Sequence, residues 1–225
     1  RSRIRRVDRT ETEERLVISA FGKEFVGGGN DRMKNIGNEN SVLRGEISEQ
    51  GEEKMIAKVQ SYALAGLEGV PVTVETDISR GLPSYEMVGL PDAAVKESKE
   101  RVRSAIKNSV LEFPAHKITV NLAPAYVRKE GSAFDLPIAI SLLLAYGALR
   151  AEVGKTVFLG ELALNGELRP VTGVLPALIS ARDKGYTDFI VPKANEREAG
   201  YIHGIRVYAP ASLRETVDHL SGLKP

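Results

Sequence analysis

The 225-residue chain has no cysteine and three histidines. The first absence excludes disulfides, thiolate metal sites and a cysteine nucleophile, and fits a reducing, cytoplasmic setting. The histidines, His116, His203 and His219, are scattered, which argues against a zinc site, and no other metal centre is expected. Charge of one sign is missing too. The 31 basic and 30 acidic residues give a formal net charge of +1, so no global field demands a nucleic acid or a membrane surface. The longest apolar run, 136–149, is too short to cross a bilayer and is interrupted by Pro137 and Gly147. No apolar segment follows the basic first residues, so they do not read as a secretory signal.

What is present divides at Met55. Residues 1–54 hold eleven basic and eleven acidic residues, the run Gly27-Gly28-Gly29-Asn30 and no sustained period of 2 or 3.6. Such a segment buries too little surface to offset its ordering entropy, so a largely disordered extension is expected, with a short strand near Leu16–Ile18 the exception. One expectation is that translation begins at Met55, because Gly51-Glu52-Glu53-Lys54 back-translates to a purine-rich stretch. The alternative is a basic tail in which Arg1, Arg3, Arg5, Arg6 and Arg9 touch nucleic acid.

From Met55 the periodicity becomes regular. Strands are expected over 55–65 and 70–78, joined by a Gly66–Gly69 turn, then over 85–88. Asp92 stands where an N-cap belongs, before a helix from Ala93 to about Asn108. Val95, Val102 and Ile106, with small Ala94, Ser98 and Ala105, form its apolar stripe. Lys96, Lys99, Arg103 and Lys107 line its other face, either as a solvated surface laced by Lys96–Glu100 and Glu100–Arg103 pairs or as a row of phosphate contacts.

A strand over 117–122 leads to the stretch Val127–Pro137, which opens the most apolar helix, 136–146. Asp135 or Ser132 can cap it, and Pro137 fits only a first turn, which points to Asp135. A hairpin of 157–162 with 167–171 is expected around Asn165-Gly166. A helix over 175–184 should stop at Gly185, followed by a strand at 189–192, a helical turn at 196–200, a strand at 205–208 and a helix capped by Ser212. A strand meander followed by alternating strands and helices indicates a mixed α/β (α+β) domain over 55–225.

Several motifs occur in order. They are Gly81-Leu82-Pro83, the run from Val88-Gly89-Leu90-Pro91-Asp92 to Ser98, Arg101–Ser109, Thr119–Pro124 and Lys129–Pro137. Together they resemble the N-terminal domain of the ComM/YifB family, magnesium-chelatase-like AAA+ ATPases. The resemblance covers Met55 to about Leu223. It implies a Lon-protease C-terminal-domain-like fold, as at the end of RadA proteins. It also implies a place in DNA processing, where ComM-type proteins look like hexameric branch-migration motors.

No Gly-x-x-x-x-Gly-Lys-Ser/Thr occurs in the 225 residues, so ATP and Mg are expected only on an AAA+ module missing from this chain, and no cofactor on the chain itself. The expected partners are DNA and other subunits of a ring.

Lon-type peptidases use a serine and a lysine that takes its proton. Matching their motifs onto Lys129–Asp135 and Arg169–Leu175 puts Ala133 at the serine position and Leu175 at the lysine position. A one-residue gap would restore Ser132 as nucleophile, but an isobutyl group at Leu175 accepts no proton. The chain is therefore expected to have no peptidase activity. Arg128 and Lys129 remain as contacts to DNA or to the ATPase module, or as solvated residues of a turn. Three readings stay open: a DNA-contacting domain, an oligomerisation scaffold without DNA contact, and a Lon-like peptidase.

Overall fold

A computed structural model describes residues 55–223. The expectations for residues 1–54, including the strand near Leu16–Ile18, lie outside the described residues.

The fold is mixed α/β. Seven strands form one sheet, β1 (Met55–Ala65), β2 (Glu68–Ser79), β3 (Ser84–Val88), β4 (Lys117–Ala123), β5 (Thr156–Phe158), β8 (Asp188–Ile190) and β9 (Arg206–Tyr208), in the order β3-β4-β2-β1-β5-β8-β9. A separate two-stranded ribbon pairs β6 (Glu161–Leu162) with β7 (Leu168–Arg169). The helices are α1 (Ala93–Asn108), α2 (Asp135–Tyr146), α3 (Val174–Asp183), the single turn α4 (Glu196–Ala199) and α5 (Leu213–Leu220).

The long β1–β2 hairpin is the centre of the sheet, with Val59 opposite Val74 and Ser61 opposite Val72. Its period-2 pattern sends Val59, Val72, Val74 and Ile78 into a core shared with α1, α2 and α5. Tyr62 points to the opposite face, into a second core built on Val174, Ala177 and Leu178 of α3. Helix α2 is apolar almost all round, and ten of its twelve residues are buried, as suits a helix between the sheet and α1.

Two expectations about the sheet need correction. The first three strands are no meander, because β4 inserts between β2 and β3 and runs parallel to β3. Connecting β3 to β4 through α1 gives the crossover that parallel strands require. The hairpin around Asn165-Gly166 forms, but the 157–162 segment is not one unbroken arm of it. It breaks at Leu159-Gly160, so β5 joins the main sheet while β6 turns away to pair with β7. Gly160 sits against Leu136, where a Cβ would lie 3.3 Å from that side chain's own Cβ.

The capping predictions divide. Asp92 caps α1 by accepting Val95 N–H at 2.7 Å, and Ser212 caps α5 by accepting Glu215 N–H at 3.2 Å. Gly147 ends α2 with φ 77°, and Gly185, with φ 87°, follows α3. Asp135 is not the cap of α2. Phe134 holds that position without a side-chain bond, and Asp135 is the first helical residue. Its carboxylate is engaged elsewhere.

Candidate functional site

The loop from Pro124 to Phe134 is bolted down by its own lysine. The chain around Lys129 runs beside Leu90–Asp92, with Lys129 N–H donating to Leu90 O at 3.3 Å and Asp92 N–H to Lys129 O at 3.0 Å. The Lys129 side chain is fully buried, and its Nζ donates to Gly89 O at 2.7 Å and to Pro124 O. Burial pushes this ammonium below the ordinary lysine range. The two carbonyls supply part of the solvation the charge has lost. Gly89 is required for this closure. Its φ is 96°, and a Cβ there would lie 2.2 Å from Leu122 O. At the loop tip Gly131, with φ 81°, donates its N–H to the second Asp92 oxygen at 3.2 Å, so one carboxylate caps α1 and holds the turn.

Below the loop lies a buried ion pair. Asp135 is wholly inaccessible and accepts Arg101 Nε at 2.6 Å, an Arg101 NH2 group at 3.0 Å and Leu162 N–H at 3.1 Å. Arg101 also donates to Ala94 O at 2.9 Å. Burial pushes the Asp135 carboxyl up, and the guanidinium opposes that; the same contact holds Arg101 firmly protonated. The pair ties α1 to the start of α2 and, through Leu162, to the ribbon.

Ser132, on the upper side of this arrangement, donates its hydroxyl to Glu161, whose other oxygen faces Arg169 at 3.4 Å. A cleft of about 460 Å³ opens beside it. Its walls come from the 130–134 loop, from Tyr62–Leu64 at the end of β1, and from Pro170–Gly173. The two sequence stretches matched above to the halves of a Ser/Lys dyad therefore meet at one cleft. Ala133 lines it. Leu175 is half-buried against the second core, and its backbone N–H donates to Glu198 Oε1 at 3.1 Å. Among the described residues no lysine lines the cleft, and Lys129, three residues before Ser132, has its amine committed to Gly89 and Pro124.

The six residues expected to meet DNA do not form one group. Lys96, Arg103 and Lys107 are exposed on α1, and Arg128 is exposed on the loop. Lys99 is half-buried, with Nζ 5.7 Å from the centre of the Tyr85 ring, and Arg103 lies equally far from the Phe113 ring. Lys129 must be removed from the set, because a buried ammonium already bonded to two carbonyls does not face a phosphate. Arg128 pairs with Glu130 at 3.0 Å at the surface. Among the described residues, the expected pairs through Glu100 are absent, and the α1 ion pair runs from Glu97 to Arg101 at 4.0 Å.

Sequence reasoning missed Arg101, Asp92's second bond and Glu161. For Arg101 a signal was available: residues 94, 98, 101 and 105 share one helix face, and three of them are small. A lone arginine in a groove of small residues has room to lie flat and reach inward. Glu161 carried no such signal, because its position follows from the break at Gly160.

Comparison with known proteins places these motifs. The family model for the ChlI subunit of Mg-chelatase matches residues 74–195, more than half of the chain. The competence protein ComM of Haemophilus influenzae is 44% identical over 168 residues, 74% of this chain and 33% of that protein. The uncharacterized protein YifB of Escherichia coli is 50% identical over 147 residues, 65% of this chain and 29% of that protein. A more distant likeness, 26% over 183 residues, joins 75% of the chain to 22% of the Lon protease of Brevibacillus choshinensis. The chain spans about a third of the length of the ComM and YifB relatives it matches. On the family match and these relatives, the chain belongs to the ComM/YifB family of magnesium-chelatase-like proteins.

Proposed function

We propose that the described residues act as the non-catalytic, DNA-contacting domain of a ComM/YifB-like AAA+ ATPase engaged in recombination by branch migration, with a Lon-protease C-terminal-domain-like fold. The observation that carries the reading is the division of labour among the lysines and arginines around the loop. Lys129 and Arg101 are turned inward to hold the architecture, while Lys96, Arg103, Lys107 and Arg128 are left exposed. Inward cations fix the loop against α1. Outward cations supply the point charges that a phosphate backbone takes up with release of its counterions. Among the described residues no amine lines the cleft, which supports the non-catalytic half of the reading, since the carboxylate bonded to Ser132 is a far weaker base than the lysine of a Ser/Lys dyad.

ATP hydrolysis, Mg and ring assembly belong in this reading to the AAA+ module of the family. An oligomerisation role without DNA contact is favoured by one observation. Val110 is 86% exposed at φ 59°, a β-branched residue held in a conformation that costs energy without burying its side chain.

The test is fluorescence anisotropy of a labelled duplex with the full chain and with the Lys96→Ala/Arg103→Ala/Lys107→Ala/Arg128→Ala variant. The reading expects weaker binding to every sequence, and a slope of log affinity against log salt that falls by about one unit per lost phosphate contact. Equal affinity and equal slope would remove the DNA reading and leave the scaffold.

A further inference from the structure

The cleft beside Ser132 has a chemistry that the DNA reading does not use. Its volume, about 460 Å³, lies within the range of pockets that hold small ligands, roughly 300–1,000 Å³. One wall is apolar, formed by Leu64, Phe134, Leu159, Val171 and Ala177. Among the described residues, Glu130 and Glu161 are the charged side chains that line the cleft, and no lysine or arginine does. Ser132 gives its one proton to Glu161, which leaves its oxygen lone pairs free to accept.

We propose that this cleft binds a lysine side chain presented by a peptide segment of a partner protein. A lysine head carries three donors and no acceptor, which complements a site made of the Glu161 and Glu130 carboxylates and the Ser132 oxygen. Its aliphatic stem suits the apolar lining, where Leu64 is 42% exposed. The cleft is larger than one side chain needs, and Leu64, Glu130 and Thr172 are exposed at its mouth, so the flanking backbone has somewhere to lie. A free arginine stack would need an aromatic face, and Phe134 is buried in the core cluster.

Two arginines stand outside the cleft against its carboxylates. Arg169 meets Glu161 through one nitrogen at 3.4 Å and is 62% exposed; Arg128 meets Glu130 at 3.0 Å and is 70% exposed. Both contacts are solvent-screened and weak, so an ammonium in the cleft competes with them on favourable terms.

The test uses the full chain and two blocked tripeptides, acetyl-Ala-Lys-Ala-amide and acetyl-Ala-norleucine-Ala-amide, followed by amide chemical shifts. The lysine peptide should shift the signals of Gly131, Ser132, Thr172 and Gly173, and the norleucine peptide should bind at least about tenfold more weakly, since it lacks the charge-assisted bonds. Glu161→Gln, which keeps an oxygen for Ser132, should weaken the lysine peptide about tenfold or more. Lys107→Ala, remote in sequence from the cleft-lining segments, should leave peptide binding unchanged and so separates this site from the DNA surface. Equal affinity for the two peptides would overturn the proposal, as would shifts confined to other parts of the surface. Undiminished binding by a well-folded Glu161→Gln protein would do the same. Binding of free 1,5-diaminopentane without binding of the lysine peptide would overturn the peptide assignment.

Discussion

Replacing Arg101 with methionine gives the sharpest stability test of the loop architecture. Methionine keeps most of the stem volume but removes the guanidinium from Asp135, which is wholly buried and accepts two of its N–H groups at 2.6 and 3.0 Å. Leu162 N–H at 3.1 Å is then the donor left among those seen. Removing one partner of a buried ion pair costs about 3–5 kcal/mol. Protonation of Asp135 sets a ceiling on that cost, because burial already raises its carboxyl.

We therefore expect about 3 kcal/mol of destabilisation near pH 8, or a Tm lower by roughly 6–12 °C at about 2–4 °C per kcal/mol for a chain of this size. The sign of the pH dependence follows. Without Arg101, Asp135 has a folded pKa raised above its unfolded one, so the variant's stability relative to wild type is greatest in acid and falls as pH rises through that raised value. Urea unfolding of both proteins at several pH values between about 4 and 8 measures it. The double variant Arg101→Met/Asp135→Leu, which removes both charges, should recover much of the loss. A deficit under about 0.5 kcal/mol at pH 8, or one that does not change with pH, would refute the assignment of this pair as the tie between α1 and α2.

Other perturbations test neighbouring parts of the account by the same unfolding assay. Gly89→Ala puts a Cβ 2.2 Å from Leu122 O at φ 96° and should cost at least about 2 kcal/mol, whereas Gly185→Ala, with φ 87° but open space around it, should cost about 1 kcal/mol. Lys129→Met leaves Gly89 O and Pro124 O without their donor; at about 1–3 kcal/mol each, less the relief of a buried charge, the net loss should be about 2–4 kcal/mol. Burial pushes the Tyr62 phenol up to about 12 from an ordinary 10.0. Its contribution is fully present below pH 10 and is lost as pH rises towards 12, with a slope of at most about 1.4 kcal/mol per pH unit. Tyr62→Phe should flatten stability in that window, with Tyr85, Tyr146, Tyr186 and Tyr208, all likewise raised, contributing what remains.

Periodicity made much of this fold legible before any coordinates. Helix α1 has the predicted bounds because an Asx cap and an amphipathic stripe are local signals. The β1–β2 hairpin was equally clear from alternation and two glycines. Strand order was not, since insertion of β4 between β2 and β3 depends on pairings far apart in sequence. The break at Gly160 was also hidden: an apolar run and an Asn-Gly turn satisfy a hairpin as well as they satisfy two separate strands.

At the site, motif matching located the loop and its counterpart at Leu175, and the structure brings those segments to one cleft. It could not tell inward from outward charge. Lys129 sits between Arg128 and Glu130, both exposed, and reads as their equal in sequence. Only the approach of Gly89 and Pro124 makes it a buried bolt. Asp135 misled for a related reason, because a carboxylate beside a helix-opening proline suits a cap until Arg101 is seen to reach it.

The central claim of the proposed reading is that Ser132 lies where a Ser/Lys peptidase has its active-site loop, without the lysine that would activate it. Intact-mass measurement after incubation with a serine-directed fluorophosphonate tests this directly, with peptide mapping to locate any adduct. The account predicts an unmodified chain, with Ser132 still bonded to Glu161 and no lysine amine beside it. A stoichiometric adduct on Ser132 that Ser132→Ala abolishes would contradict it.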